Sequence, residues 1–365
     1  MKRHITVLVP AHNEGTPRRR TLRRRKGPRQ APLREGLDGL RAQTHPVDRV
    51  VVIADNCTDD TVDVASRAGV EVFTTRDNMD KKAGALNQWL DQHLSTMEPE
   101  ELVLVVDADS VLEPDFVANA VAYVEQGYDA VGGVFFGKPG GGLVGMYQRN
   151  EYARYARDVT RKHGRTLVLT GTATMFTAGA LQRVVDGRER GVIPGNGAVS
   201  HVYDTKALTE DNELTFALLH LGMHLIAPPE CRLLTEVMPT WADLRRQRFR
   251  WKRGAIENNR HYGLTRHTLK YHALQWWSGI GIVVTAVYLA TLTYLIAAEQ
   301  VHLATFWIVV TGIYALERVV TVASRGRRQM ALAGLLFVEM PYDITLQIVQ
   351  AKAFLAALLR TRKSW

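Results

Sequence analysis

Short valine-rich segments alternate with helical segments through the first 240 residues, and this alternation constrains the fold more than any other feature of the chain. Apolar runs bounded by polar or turn residues predict strands at Ile5–Val9, Val50–Ala54, Val70–Phe73, Leu102–Val106 and Ala130–Phe136. Helical spacing between them predicts helices at Asp60–Ala68, Gly84–Leu94 and Pro114–Gln126, the last with its proline in the first turn. Such alternation builds a mostly parallel sheet covered by helices on both faces, so an α/β fold is predicted.

A run without a charged residue, Ala273–Ala298, follows the α/β part. It is longer than the roughly 20 residues that a helix needs to cross a hydrocarbon core of about 30 Å. Trp276, Trp277 and Tyr294 lie near its ends, where amphipathic rings favour the membrane interface. The run is therefore predicted to span a membrane, and a buried core helix is the alternative.

Two later segments are apolar but interrupted by charges. Val301 to about Ser324 contains Glu317 and Arg318, which either pair with each other or face another helix, and it is predicted as a second span. Met330–Leu359 either spans once more or breaks at Pro341 and continues as an interfacial or re-entrant helix. Two or three spans therefore remain open.

Basic residues place the α/β part relative to the membrane. Arg325, Arg327 and Arg328 follow the second segment, and Arg260, Arg266 and Lys270 precede the first. Because cytoplasmic flanks are enriched in Lys and Arg, the start of the first segment and the end of the second are both predicted to be cytoplasmic. We expect an integral membrane protein of the cell or inner membrane, with a cytoplasmic domain at 1–240, an interfacial region at 240–272 and a membrane region at 273–365.

The formal net charge of +9 has a local origin. Nine Lys and Arg lie between Arg18 and Arg34 without an acid, and the remaining 37 balance 37 Asp and Glu. A chain-wide nucleic-acid surface is therefore disfavoured. The Arg-rich stretch, at about 16–35, reads as an insertion after the first strand that either contacts anionic lipids or an acidic partner or is a solvated loop. The two cysteines, Cys57 and Cys231, exclude a disulfide framework and a four-thiolate zinc site.

Acidic clusters follow three of the predicted strands. Their sequences are Pro10-Ala11-His12-Asn13-Glu14, Asp55-Asn56-Cys57-Thr58-Asp59-Asp60 and Asp107-Ala108-Asp109-Ser110. Because ligands bind beyond the carboxyl ends of parallel strands, these clusters are expected to meet at one edge of the sheet. Gathered carboxylates repel one another unless a cation compensates them, and Mg²⁺ or Mn²⁺ would in turn hold phosphate oxygens. Solvated acids in strand-to-loop turns are the alternative.

Three later segments are suited to binding and catalysis. Lys81-Lys82 opens a helix with two cations that suit phosphate, and Gly171–Phe176 contains small residues that let a ligand approach the backbone. Thr209-Glu210-Asp211 starts the predicted helix Asn212–Leu221, with Thr209 as its N-cap. The macrodipole favours ionised acids there, so Asp211 is a candidate general base, with helix capping alone as the alternative.

A capping box, Thr240-Trp241-Ala242-Asp243, begins a further predicted helix. Gln247, Arg250 and Trp251 lie three and four residues apart, hence on one face of it. A guanidinium, an amide and an aromatic ring together suit a diphosphate and a sugar or base. An amphipathic helix on a membrane surface is the alternative.

These motifs, in this order, resemble the family 2 glycosyltransferases, specifically the membrane-bound branch with the cellulose, chitin, hyaluronan and poly-N-acetylglucosamine synthases. The matching segments are Val9–Glu14, Ala54–Asp59, Lys82–Asn87, Asp107–Asp109, Thr209–Asp211 and the Gln-x-x-Arg-Trp motif at Gln247, Arg250 and Trp251. The resemblance implies a GT-A fold, which is Rossmann-like with a mostly parallel sheet, followed by transmembrane and interfacial helices.

The resemblance also implies roles for individual residues. Asp211 would deprotonate the acceptor, Asp109 and Asp107 would bind Mg²⁺ or Mn²⁺, and the nucleotide sugar would be bound by Pro10, Ala11, Glu14, Asp55, Lys82, Asp107, Gln247, Arg250 and Trp251. The acceptor would contact Gly171, Thr172, Glu210 and Trp251.

The implied activity is a metal-dependent, inverting transfer of a sugar from a nucleotide-diphosphate sugar, with UDP predicted, to a saccharide or lipid-linked acceptor at the cytoplasmic membrane face. The large synthases carry more membrane helices than are predicted here, so either a homo-oligomer forms a polymer channel or the product is short or lipid-linked. Transfer of one sugar to polyprenyl phosphate is an alternative. A membrane-anchored protein that binds nucleic acid through its Arg-rich stretch is an alternative of another class.

Overall fold

The computed structural model describes residues 3–16, 30–195, 197, 199–300 and 305–361. Its strands are β1 (Ile5–Ala11), β2 (Arg49–Ala54), β3 (Glu71–Thr74), β4 (Leu102–Val106), β5 (Val111–Leu112), β6 (Ala130–Gly132), β7 (Val134–Gly137), β8 (Ala173–Thr177), β9 (Leu225–Ile226) and β10 (Arg232–Thr235). Its α-helices are α1 (Pro32–Arg41), α2 (Thr61–Arg67), α3 (Lys81–His93), α4 (Phe116–Glu125), α5 (Gly142–Arg161), α6 (Ala178–Glu189), α7 (Glu210–His220), α8 (Trp241–Tyr262), α9 (Leu269–Ala297), α10 (Thr305–Thr321), α11 (Arg327–Gly334) and α12 (Leu336–Leu358). The predicted Arg-rich insertion falls largely at 17–29, outside the described residues.

The described strands form a seven-stranded sheet in the order β3-β2-β1-β4-β8-β6-β9 and a three-stranded sheet in the order β5-β10-β7. Strands β1 to β4 of the larger sheet are parallel to one another, and β8 runs antiparallel to both β4 and β6. The prediction of an α/β protein with a mostly parallel sheet is confirmed. Because β4 lies in the middle of this sheet, the loop that follows it emerges at the centre of the carboxyl edge.

Apolar side chains that alternate along the strands bury both faces of the sheet. Ile5, Val7 and Val9 of β1 pack in one core cluster with α1 and α4, whereas Leu8 packs in another with α3, α6 and α7. Side chains two residues apart on a strand point to the same face, so a strand apolar at every position is buried on both. The sheet is therefore a fixed platform for the residues at its carboxyl edge.

The predicted strand Ala130–Phe136 is wrong as a single element, because it divides at Gly133 into β6 of the larger sheet and β7 of the smaller one. A Cβ at Gly133 would lie 2.4 Å from the Leu233 side chain. The chain therefore leaves one sheet and enters the other at Gly133, where a residue with a side chain would not fit. The predicted place of Pro114 in a first helical turn is also wrong, since it lies in the turn before α4, whose first residue is Phe116.

Helix α9 is long and apolar enough to cross a membrane, with a mean hydropathy of 2.1 in its most apolar window and none of that window buried. The alternative of a buried core helix is therefore wrong for the described structure. Helix α11 and residues Val338–Leu358 of α12 meet the same criterion only as a pair bent by 70°. The described part of α10 has 17 residues, and residues 301–304 before it lie outside the described structure, so the number of spans stays a prediction.

The break predicted at Pro341 lies a few residues earlier, between Gly334 and Val338. Pro341 instead lies inside α12, after the bend.

The charges of α10 face other helices, as one of the two alternatives predicted. Arg318 contacts Glu339 and donates to Asp343 at 2.7 Å, both on α12, while Arg157 of α5 lies 3.3 Å from Glu317. Glu339 also accepts from Asn150 of α5 at 3.0 Å. These polar contacts, of which those of Glu339 are buried, join the C-terminal helices to the α/β part.

Candidate active site

The loop after β4 carries Asp107 and Asp109 to the carboxyl edge of the sheet. The Asp107 N–H donates to the Thr172 carbonyl at 2.9 Å, and the Ser110 N–H donates to the Asp107 carbonyl at 2.9 Å, closing a tight turn. The first bond continues the pairing of β4 with β8 beyond the strands. It fixes Thr172 and its neighbour Gly171 directly beside the Asp-x-Asp motif.

Lys82, in the first turn of α3, joins three of the predicted site residues. Its Nζ lies 2.5 Å from Asp107 Oδ1, 2.7 Å from the Gly171 carbonyl oxygen and 3.6 Å from Glu210 Oε1. Burial opposes the charge on Lys82, but the carboxylates of Asp107 and Glu210 outweigh it and raise the pKa of the ammonium group. Lys82 therefore stays protonated at physiological pH and balances two acids at the centre of the site.

Asp211 lies in the first turn of α7 with both carboxylate oxygens held. The Gly171 N–H donates to Oδ2 at 3.0 Å, and the Asn212 N–H donates to Oδ1 at 2.8 Å. Burial and, next, the negative charge of Glu210 raise the pKa of Asp211 to about 6, against the opposing effect of Lys82. A Cβ on Gly171 would lie 3.2 Å from Asp211 Oδ2, so a side chain there would crowd the carboxylate. Asp211 is thus a carboxylate of fixed orientation whose proton affinity suits a general base.

A small pocket lies beside these groups. Charged residues at one side of it are Lys82, Glu210 and Asp211, and the rest of the lining is apolar or carries hydroxyls, including Val105, Leu169, Thr174 and Tyr203. Tyr203 was not identified from the sequence. Its backbone forms reciprocal hydrogen bonds with the Asn87 amide at 2.9 and 3.0 Å, and it follows no motif that could have marked it.

The predicted nucleotide residues form a neighbouring group at the ends of β1 and β2. The Asp55 N–H donates to the Ala11 carbonyl, next to Pro10, and Asp55 Oδ1 accepts from Thr75 Oγ1 at 2.9 Å and Asn78 Nδ2 at 2.8 Å. Glu14 lies in the loop after β1, and its N–H donates at 2.9 Å to Oγ1 of Thr61, the first residue of α2. Thr75 and Asn78, which orient Asp55, were missed because they belong to no recognisable pattern.

Helix α8 packs closely on the first turn of α7. A Cβ on Gly254 would lie 2.4 Å from Thr209 Oγ1, and Asn258 Nδ2 donates to Asn212 Oδ1 at 2.9 Å. Thr240 is the N-cap of α8, since its Oγ1 accepts from the Asp243 N–H at 3.2 Å, and the Asp243 carboxylate accepts from the Thr240 hydroxyl at 2.6 Å. Thr209 is the N-cap of α7, but its side chain makes no capping hydrogen bond. The glycine thus lets the two helices that carry the predicted motifs touch.

The three residues of the Gln-x-x-Arg-Trp motif have different surroundings. Arg250 is exposed. The pKa of Lys81, beside the pocket, is lowered first by burial of Lys81 and second by the positive charge of Arg250. Gln247 Oε1 accepts from Arg248 at 3.2 Å, and the Arg248 guanidinium lies 4.4 Å from the centre of the Trp251 ring. Arg248, which was not singled out from the sequence, is buried and donates to Glu151 at 2.8 Å. The structure therefore brings Arg250 near α3. The contacts described here for Gln247 and Trp251 are instead with Arg248.

Asp107 and Asp109 are the two carboxylates predicted to bind the divalent cation. Among the described residues there is no group of three or more His, Cys, Asp and Glu that could hold a metal. Mg²⁺ is commonly bound by one or two carboxylates plus substrate phosphates and water, so this donor set fits a cation that arrives with a phosphorylated substrate.

The sequence profile described as "Glycosyltransferase like family 2" matches residues 3–254. A curated relative, "Probable glycosyltransferase YdaM" of Bacillus subtilis (strain 168), is 26% identical over 263 residues, covering 68% of this chain and 54% of the relative. The chain thus spans about half the length of the curated relative it matches.

Solved structures resemble this one in fold. The mannosyltransferase PcManGT from Pyrobaculum calidifontis, in complex with GDP-Man and Mn²⁺, aligns with a TM-score of 0.57 and 20% identity over 99% of this chain and 89% of that one. Glucosyl-3-phosphoglycerate synthase from Mycobacterium tuberculosis, in complex with Mn²⁺, UDP and phosphoglyceric acid, aligns with a TM-score of 0.38 and 18% identity over 65% and 72% of the two chains. The predicted GT-A fold is confirmed.

Proposed function

Because this chain belongs to family 2 of the glycosyltransferases, we propose that it transfers a sugar from a nucleoside-diphosphate sugar to an acceptor hydroxyl with inversion at the anomeric carbon. The observation that carries the proposal is the setting of Asp211. Its two oxygens are fixed by backbone N–H groups, and burial and the neighbouring Glu210 raise its pKa to about 6. This is the chemistry that a general base needs.

The proposed reaction is one displacement at the anomeric carbon. Asp211 takes the proton of the acceptor hydroxyl as its oxygen attacks, and the bond to the diphosphate breaks on the opposite face. Negative charge then grows on the leaving diphosphate, where Lys82 and Arg250 supply positive charge. A divalent cation held by Asp107 and Asp109 would neutralise more of that charge. Because one displacement inverts the centre, no sugar–enzyme intermediate forms.

The donor is proposed to lie with its nucleotide against Asp55 and the β1 end at Pro10 and Ala11, and with its diphosphate toward Lys82. We expect UDP as the nucleotide. The Pyrobaculum calidifontis structure holds GDP-Man and Mn²⁺, so GDP-sugars are the second class to test, with Mn²⁺ and Mg²⁺ as the metals. The acceptor is proposed to enter beside Gly171, Thr172, Glu210 and Trp251.

The acceptor is proposed to be a saccharide or a lipid-linked sugar at the cytoplasmic face of a membrane, with polysaccharide synthesis as one outcome. Support comes from the exposed apolar helix α9, directly after the domain that carries the site. Transfer of a single sugar to polyprenyl phosphate is the second candidate. The mass of the product distinguishes them, because a polyprenyl product carries one sugar and a phosphate.

Asp211→Asn tests the assignment of the base. The amide keeps the size of the side chain but accepts no proton, so turnover should fall at least about 100-fold while donor binding changes less than about threefold. Nucleotide release and donor affinity, measured on the same preparation, provide the comparison. Asp186→Asn, an exposed change on α6, is the matched control and should retain full turnover. Equal loss of donor binding and turnover in Asp211→Asn would remove Asp211 as the base.

A further inference from the structure

Behind the proposed base lies a fully buried ion pair that the reaction itself does not use. Glu213 follows Asp211 by two residues on α7, and Arg188 lies near the end of α6. Arg188 donates to Glu213 Oε2 at 2.8 Å, and their side chains are 0% and 1% exposed. Removing two charges from water costs several kcal/mol per ion, and well-packed apolar residues often replace such a pair without loss of stability. The pair therefore calls for an explanation other than stability.

The second oxygen of Glu213 reaches the helix that carries the Gln-x-x-Arg-Trp motif. Tyr262, in the last turn of α8, donates from its hydroxyl to Glu213 Oε1 at 2.6 Å. The Tyr262 ring packs edge-on against Phe216 of α7, with 5.6 Å between ring centres. Glu213 thus connects α7 to the last turn of α8. This is a second contact between the two helices, because Gly254 of α8 already touches Thr209 at the start of α7.

Arg188 also holds the chain that leads into the pocket. It donates to the Pro194 carbonyl at 2.7 Å and to the Val202 carbonyl at 3.1 Å. Val202 directly precedes Tyr203, which lines the pocket beside Asp211. One guanidinium therefore fixes the approach to Tyr203 and, through Glu213, the helix that presents the base.

We propose that Arg188, Glu213 and Tyr262 are positioning residues that hold the base helix α7, the motif helix α8 and the Tyr203 segment in one fixed arrangement for the transfer step. The inference rests on the proposed function, since it concerns the placement of Asp211. None of the three residues lines the pocket, so they act through Asp211 and Tyr203 rather than on substrate. A displacement of about 1 Å at such a site costs about 100-fold in rate, so loss of one anchor affects the chemical step first.

Tyr262→Phe is the variant that tests this arrangement. Removing Glu213 or Arg188 would leave its partner as a buried, unpaired charge and unfold the chain, whereas the phenylalanine keeps the ring packing and deletes one hydrogen bond. We expect kcat to fall about 10-fold or more, with the donor KM and the directly measured donor affinity within about twofold of the wild type. Arg188→Lys, which keeps the charge but cannot reach all three acceptors, should show the same division between kcat and KM.

Tyr128→Phe is the matched control, because Tyr128 packs edge-on against Tyr123 away from this cluster. It should leave kcat and KM unchanged. A lower melting temperature for Tyr262→Phe with an unchanged kcat would overturn the proposal and leave the cluster a structural one. Absence of nucleotide release by the wild-type chain would instead contradict the proposed function, so the two failures are distinguishable.

Discussion

Asp211 illustrates how the surroundings of one residue set its chemistry. An Asp in the first turn of a helix ordinarily has a low pKa, because the helix macrodipole and nearby N–H groups favour its charge. Two such N–H groups do bind it here, yet burial and the neighbouring Glu210 prevail and raise its pKa. The same N–H groups that fail to keep it acidic fix the direction of its oxygens.

This pKa leads to a prediction about pH. A carboxyl group with a pKa of about 6 keeps its proton below that pH and then cannot accept another, so kcat should fall about tenfold per pH unit below 6 and level off above it. Glu210→Gln removes a nearby negative charge and should move this acidic limb to lower pH. The measurement is kcat between pH 4.5 and 8 at saturating donor, with these limits chosen to bracket about two units around the pKa. A rate that stays level down to pH 4.5 would contradict the raised pKa.

The residues that sequence reasoning identified are those in compact motifs. Lys82, Asp107, Glu210 and Asp211 come from three separate segments, and the structure brings them into one group. Tyr203, Arg188 and Glu213 could not be identified, because a buried tyrosine or an ion pair between distant helices leaves no local spacing to detect. Such positions become visible only once packing is known.

At the scale of elements, sequence periodicity predicted β1 to β4 and helices α2 and α3 closely, whereas α1 begins at Pro32, inside the stretch predicted as an insertion. It could not predict the division of 130–136 between two sheets, since an apolar run reads the same whether it stays in one sheet or passes to another. Nor could it predict the contact of α8 with α7 at Gly254, because the sequence alone does not indicate which residue packs against a single glycine in a helix.

Helix α9 provides the prediction at this scale. If it spans a membrane, the full-length chain should stay in the membrane pellet after an alkaline carbonate wash. Val283→Arg combined with Val287→Arg places two charges in its apolar middle, at a cost of about 2.5–3.5 kcal/mol each in the hydrocarbon core, and should release most of the chain. Val62→Arg, on the exposed face of α2, is the matched control and should behave as the wild type. Wild-type protein in the wash supernatant would contradict a span.

At the scale of the whole molecule, the excess of positive charge and the residues of the proposed reaction lie in different parts of the sequence. The proposed reaction rests on acids and bases from the part of the sequence where 37 Lys and Arg balance 37 Asp and Glu. The cluster around Glu339 joins that part to the C-terminal helices α10 and α12 through Asn150 and Arg318.

The central claim is that this chain cleaves a nucleotide sugar and transfers the sugar. Its most direct test is nucleoside-diphosphate release from a panel of UDP- and GDP-sugars by the purified full-length chain with Mn²⁺ or Mg²⁺, with a membrane-derived acceptor fraction and with EDTA as the metal-free control. The account predicts metal-dependent release from one donor class by the wild type and by Asp186→Asn, and at least about 100-fold slower release by Asp211→Asn. No release from any donor, or equal release by Asp211→Asn, would contradict it.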